Sequence, residues 1–131
     1  MNDPLDLNGV WYGRYDSRVE PQDNSFIALI EELGGALSGT ISEPDGDGGI
    51  RRATISGRRT GQALYFVKQY SGLWTHAVQY SGRVDGEGLV VSGTWNLDWL
   101  TGGFEMQREK FSEEELEEDF EVEVVEPINL I

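Results

Sequence analysis

Along most of this chain apolar and polar side chains alternate one for one, the period of a strand with one dry face. The clearest case runs from Leu73 to Leu97. Trp74, His76, Val78 and Tyr80 share one parity against Thr75, Ala77, Gln79 and Ser81; after Asp85-Gly86-Glu87-Gly88 the pattern resumes, with Leu89, Val91, Gly93 and Trp95 against Ser92, Thr94 and Asn96. Two such runs about a Gly-rich turn predict a β-hairpin with a wet face and an aromatic face. The aromatic face must line an interior, and it carries the single histidine of the chain.

The same period recurs on either side. Trp11, Gly13 and Tyr15 oppose Val10, Tyr12 and Arg14 in a first strand, and a polar loop from Asp16 to Ser25 follows. Phe26 to Leu33 is apolar at nearly every position, which predicts a strand covered on both faces. Gly34-Gly35 turns the chain into Leu37, Gly39 and Ile41, and Pro44-Asp45-Gly46-Asp47-Gly48-Gly49 ends that strand. Ala53, Ile55 and Gly57 form the dry side of a fourth strand, and Leu64, Phe66 and Lys68 share one side of a fifth. Thr101-Gly102-Gly103 precedes an eighth through Phe104 and Met106. Eight strands joined in order by short turns predict an all-β, antiparallel up-and-down barrel, which leaves no exposed edge. Its lumen is either filled by side chains or just wide enough for one small ligand.

After Lys110 the pattern breaks. Ser112-Glu113-Glu114-Glu115 matches a capping box, and Leu116 and Phe120 lie four apart, so a short helix over 113–119 is expected. Glu121-Val122-Glu123-Val124 alternates again as an extended segment. The chain therefore divides into a barrel, 1–110, and an acidic C-terminal helix and tail, 111–131. Tail hydrophobes such as Val125, Ile128 and Leu130 predict packing, on this barrel or on a neighbour's.

Charge changes the picture of partners. The formal net charge is -14, and residues 105–131 hold 11 carboxylates against 2 bases. Such a surface repels phosphate, which excludes ordinary nucleic-acid and anionic-membrane binding. A basic protein partner suits the tail. Without cysteine there is neither disulfide nor thiolate, and no apolar run approaches the ~20 residues of a membrane helix. The N-terminus lacks the form of a signal peptide, so a cytoplasmic location is expected, or secretion if a precursor segment was removed.

Gly9-Val10-Trp11 resembles the opening of the calycin barrels, whose first strand carries a Gly-x-Trp, and the barrel-helix-extension order is similar to that of the lipocalins. More of the chain is similar to the avidin and streptavidin family: GVWYGRYDS, GALSGTISE, ISGR, GQALYF, YSGRV and GTWNL fall in order between residues 8 and 104. The resemblance implies a ligand site at one barrel mouth and a homo-oligomer. It places Trp95 as the tryptophan walling the ligand and Ser17 as the early-loop serine. The asparagine expected two residues after the first tryptophan is Gly13, and the third-strand tyrosine is Ile41. His76 and Val78 stand where a serine and a threonine are expected, and Tyr80 where a tryptophan is. Each missing buried hydrogen bond costs about 1 to 3 kcal/mol, so tight biotin binding is not expected.

The candidate chemistry follows the inward parity. His76 and Lys68 orient an anionic or carbonyl-bearing ligand among Trp11, Tyr15, Phe66, Tyr80 and Trp95, or else His76 is a core residue bonded to a tyrosine while Lys68 reaches the rim. One histidine and no cysteine cannot form a His or Cys metal cluster, and no nucleophile or phosphate-loop motif occurs. The expectation is a non-enzymatic, cofactor-free barrel binding a small hydrophobic or aromatic ligand. The other reading is an interaction protein with a plugged barrel. The two part at the volume of the lumen.

Overall fold

The computed structural model describes residues 3–16, 24–44, 48–72 and 76–109. Ser17, Trp74, the expected helix over 113–119 and the rest of the tail lie outside the described residues.

Among those residues the strands are β1 (Gly9–Tyr15), β2 (Ser25–Leu33), β3 (Ala36–Pro44), β4 (Ile50–Thr60), β5 (Ala63–Tyr70), β6 (Ala77–Val84), β7 (Val90–Leu97) and β8 (Leu100–Gln107). Each pairs antiparallel with its neighbour in the chain, and β8 closes on β1 through Tyr12–Gln107 to Tyr15–Phe104. The result is the expected up-and-down barrel, with no strand left as a free edge. Turn chemistry follows the residues. Gly34 and Gly35 both take positive φ, 59° and 84°, as the tight turn between β2 and β3 requires.

Within the strands the inward parity is as read, whereas His76, just before β6, is exposed instead of facing the interior. Trp11, Ile41, Ala53, Ile55, Leu64, Phe66, Val78, Tyr80, Val91, Trp95, Phe104 and Met106 are all buried. Two further local expectations are overturned. β2 is not covered on both faces: Ile27 and Leu29 are 50% and 51% exposed, because a barrel offers one interior and β2 can turn only Phe26, Ala28 and Ile30 into it. The Thr101-Gly102-Gly103 run lies inside β8, and the turn is at Asp98-Trp99, where Asp98 takes φ 53°. The reason is steric. A Cβ on Gly102 would sit 2.6 Å from Trp95 Nε1 and 2.7 Å from the Asp16 carbonyl oxygen, so this glycine makes room for the indole within the sheet.

The interior has three levels. At one end the segment before β1 lies across the barrel: Trp11, wholly buried, donates from Nε1 to the Leu7 carbonyl at 2.9 Å, and Arg108 lies over its ring with Cζ 4.5 Å from the centroid. Arg108 also donates to the carbonyls of Asp6, Asn8 and Gly88. Beside it Arg59 grips both Glu32 oxygens, at 2.7 and 2.8 Å, and reaches Asp3 at 2.6 Å. That paired carboxylate holds the Arg59 guanidinium above its ordinary range. This end is closed. At mid-height Phe66 stacks on Tyr80 with centroids 4.8 Å apart, and Phe104 meets Tyr80 edge-on at 5.0 Å. These rings fill the lumen, as an eight-stranded cylinder allows.

Candidate functional site

Above those rings the barrel opens into a cup of about 240 Å³. Every strand but β2 and β3 supplies its wall through the last inward residues before the mouth: Tyr15 from β1, Arg51 from β4, Lys68 and Tyr70 from β5, Val78 and Tyr80 from β6, Trp95 and Leu97 from β7, Leu100 from β8. His76 completes the rim. The lumen is thus neither open nor wholly plugged. It is filled through its lower levels and hollow at one mouth.

Behind the Lys68, Tyr70 and Arg51 wall of the cup is a buried ion cluster centred on Glu43. Lys68 is 1% exposed, and its Nζ donates to Glu43 Oε2 at 3.2 Å. The Tyr70 hydroxyl donates to Glu43 Oε1 at 2.7 Å, and Arg51 Nε stands 3.1 Å from the same oxygen. The Lys68 ammonium also faces three rings, those of Tyr70, Tyr15 and Tyr80, at 4.7, 4.9 and 5.3 Å from their centroids. A cation over the faces of tyrosines is attracted by their quadrupoles, more so where water is excluded. Burial pushes the Lys68 amine below its ordinary range, with Glu43 only partly opposing the fall. Burial likewise raises the phenols of Tyr70 and Tyr80, and the neighbouring Glu43 charge raises both further.

Trp95 is fixed by a tertiary contact: Nε1 donates to the Asp16 carbonyl at 2.9 Å, in the space that Gly102 leaves. Its edge meets the Tyr15 ring at 6.3 Å, so the β1 and β7 walls support each other. His76 lies just before β6. Its carbonyl accepts from the Tyr70 amide and from Gln69 Nε2, both at 3.2 Å, which holds it to the end of β5.

Of the residues that the sequence pattern brought forward, Tyr15, Lys68, His76, Tyr80 and Trp95 meet in the cup. Phe66 lies beneath it as the floor on which Tyr80 stacks. Trp11 belongs to the closed end, bonded to Leu7, and His76 is at the exposed rim rather than deep among the rings. Ser17 lies outside the described residues. Lys68 does not reach for the rim, because Glu43 satisfies it inside. Glu43, Arg51 and Tyr70 were missed. Their signal was present, since each continues an inward parity by one step: Ile41 to Glu43, Ala53 to Arg51, Lys68 to Tyr70. Position 13 has no room for a longer side chain, because a Cβ there would lie 2.2 Å from the Phe26 ring.

Among the described residues no group of three or more His, Asp or Glu side chains could hold a metal ion. Comparison with protein-family models, with curated proteins and with solved structures returned no match, so the barrel and its cup stand on this chain's own geometry.

Proposed function

We propose that this chain is a non-enzymatic barrel that binds a small ligand in the cup at its open end. The observation that carries the reading is the lining itself: aromatic walls from Tyr15, Tyr80 and Trp95 around a few fixed polar groups, in a cavity open at one side. Pockets that select small molecules have this makeup. Lys68 and Arg51 set two cations against the one carboxylate of Glu43, so the cup favours a flat, apolar ligand bearing one anionic group. The placement of the cup at a barrel mouth with Trp95 as its wall also agrees with the avidin-like resemblance. Biotin fits poorly, since Phe26 occupies the space beside Gly13 and Ile41 offers no hydrogen bond.

The test is a titration of small aromatic carboxylates followed by tryptophan fluorescence and calorimetry. Binding that is weakened at least tenfold by Trp95→Ala supports the reading, about 1.4 kcal/mol or more. Absence of binding across such a series, with the protein folded, overturns it.

A second reading concerns the outer wall. Val10 pairs with Leu29 and Tyr12 with Ile27, and all four are exposed, so β1 and β2 present a continuous apolar stripe to the outside. A trough of about 630 Å³ runs beside it past Tyr12, Ile27, Ile50 and Gln107. Patches of this kind mark interaction surfaces, and we propose a second copy of this chain as the occupant. Native mass spectrometry of the wild type and of Ile27→Glu tests it: a multimer that Ile27→Glu dissociates supports the reading, and a monomeric wild type at micromolar concentration overturns it.

A further inference from the structure

We propose that Lys68 is a carbonyl-capturing amine, which binds a small aromatic aldehyde or ketone in the cup as an imine. The inference rests on the ligand-binding reading of the same cup and adds the chemical class of the ligand.

Three observations carry it. The chain has eight arginines and only two lysines, Lys68 and Lys110, yet of the two cations that reach Glu43 from the cup wall, Arg51 and Lys68, the more deeply buried is a lysine. Arginine is the better partner for a buried carboxylate, as Arg59 with Glu32 shows at the closed end. A lysine at the equivalent depth supplies what arginine cannot, a nitrogen able to lose its proton and act as a nucleophile. Second, Lys68 belongs to the cup wall but is 1% exposed, so its amine sits in a dry layer directly behind the cavity, which a carbonyl group reaches by displacing the rings that cover it. Third, the surroundings suit a cation at Nζ before and after the reaction. Glu43 and the rings of Tyr15, Tyr70 and Tyr80 would hold a protonated imine as they hold the ammonium.

The step balances without a co-reactant. Lys68 passes one ammonium proton to Glu43, the freed lone pair attacks the carbonyl carbon while the C=O π pair moves to oxygen, and one N–H proton shifts from the new ammonium to that alkoxide to give a neutral carbinolamine. The proton held by Glu43 goes to the departing hydroxyl, which leaves as water while the nitrogen lone pair forms the C=N bond. The iminium stays paired with Glu43. Burial makes the first transfer easier, since each unit by which the amine's pKa falls raises its neutral fraction about tenfold at a pH below it. The charged and titratable groups facing Nζ are Glu43 from β3, Arg51 from β4, Tyr15 from β1, Tyr70 from β5 and Tyr80 from β6.

The experiment exposes the full-length protein to 4-formylbenzoate with cyanoborohydride at neutral pH, then reads intact mass and maps the modified peptide. Monomethyl terephthalate, which carries one carboxylate and lacks the aldehyde, serves as the non-covalent probe in a fluorescence titration. The expected result is a single reduced adduct on Lys68, formed at least about tenfold faster than any on Lys110 or the N-terminal amine. The adduct persists in Lys110→Arg. Monomethyl terephthalate binding without a Lys68 adduct overturns the imine and leaves the ligand pocket standing. Adducts confined to Lys110 or the N-terminus overturn it as well. Neither adduct nor monomethyl terephthalate binding overturns both readings. Mapping on the wild type keeps the test independent of whether Lys68→Arg folds.

Discussion

Lys68 and Glu43 are joined across 3.2 Å inside the barrel although they stand on strands that do not pair, β5 and β3, with β4 between them. Both side chains are about 2% exposed. Two charges taken out of water in this way hold each other, and whatever removes one leaves the other without its counter-charge.

The two partners are therefore unequal. Glu43→Leu leaves Lys68 and Arg51 facing each other and should cost about 3 to 5 kcal/mol in urea denaturation. Lys68→Met leaves Glu43 still facing Arg51 and the Tyr70 hydroxyl, and should cost less. The double variant Glu43→Leu/Lys68→Met should be more stable than the sum of the two losses predicts. Strict additivity would show that the pair is not coupled.

Tyr70 and Tyr80 should keep their protons where ordinary phenols lose them. Of five tyrosines in the chain, fewer than five should ionise in the native protein near pH 10 to 11, with the full complement appearing on unfolding. Because both folded values lie above the unfolded one of 10.0, the native state holds protons that the unfolded state releases. Stability should then be complete below that pH and fall as pH rises through it. Lys68 has the opposite sign: its lowered amine makes stability rise with pH up to its ordinary 10.5. Ultraviolet titration and denaturation across pH 8 to 12, with Lys68→Met as control, separate the two.

The tryptophans of the two ends should part in their effects. Trp11→Ala removes a wholly buried ring bonded to Leu7 and packed under Arg108, and should cost about 3 to 5 kcal/mol while leaving ligand affinity in the surviving folded protein unchanged. Trp95→Ala should weaken ligand affinity at least tenfold. Equal effects of both variants on affinity would contradict the separation of closed end from cup.

Ending the chain after Lys110 should leave the strand signal in circular dichroism intact. Every ladder that closes the barrel, including β8 on β1, lies between Gly9 and Gln107. Loss of that signal would make the acidic segment part of the fold. A changed subunit number with the signal intact would assign it to assembly.

Period two alone identified the barrel and nearly every inward side chain, from Trp11 to Met106, because a strand cannot turn one residue without turning its neighbour the other way. It misled at β2, where apolar residues on both faces suggested cover that the described barrel does not supply. The glycines misled at Thr101-Gly102-Gly103, which lies inside β8, where Gly102 makes room for the Trp95 indole.

Alternation says which way a side chain points and nothing about its height along the barrel axis. That height follows from the stagger summed over successive strand pairings, and it belongs to the closed cylinder as a whole. Alternation along the chain is thus enough to turn Trp11, Lys68, Tyr80 and Trp95 inward. It took the closed cylinder to put Trp11 at the sealed end and to bring Lys68, Tyr80 and Trp95 together with Tyr70, near Glu43, at the other.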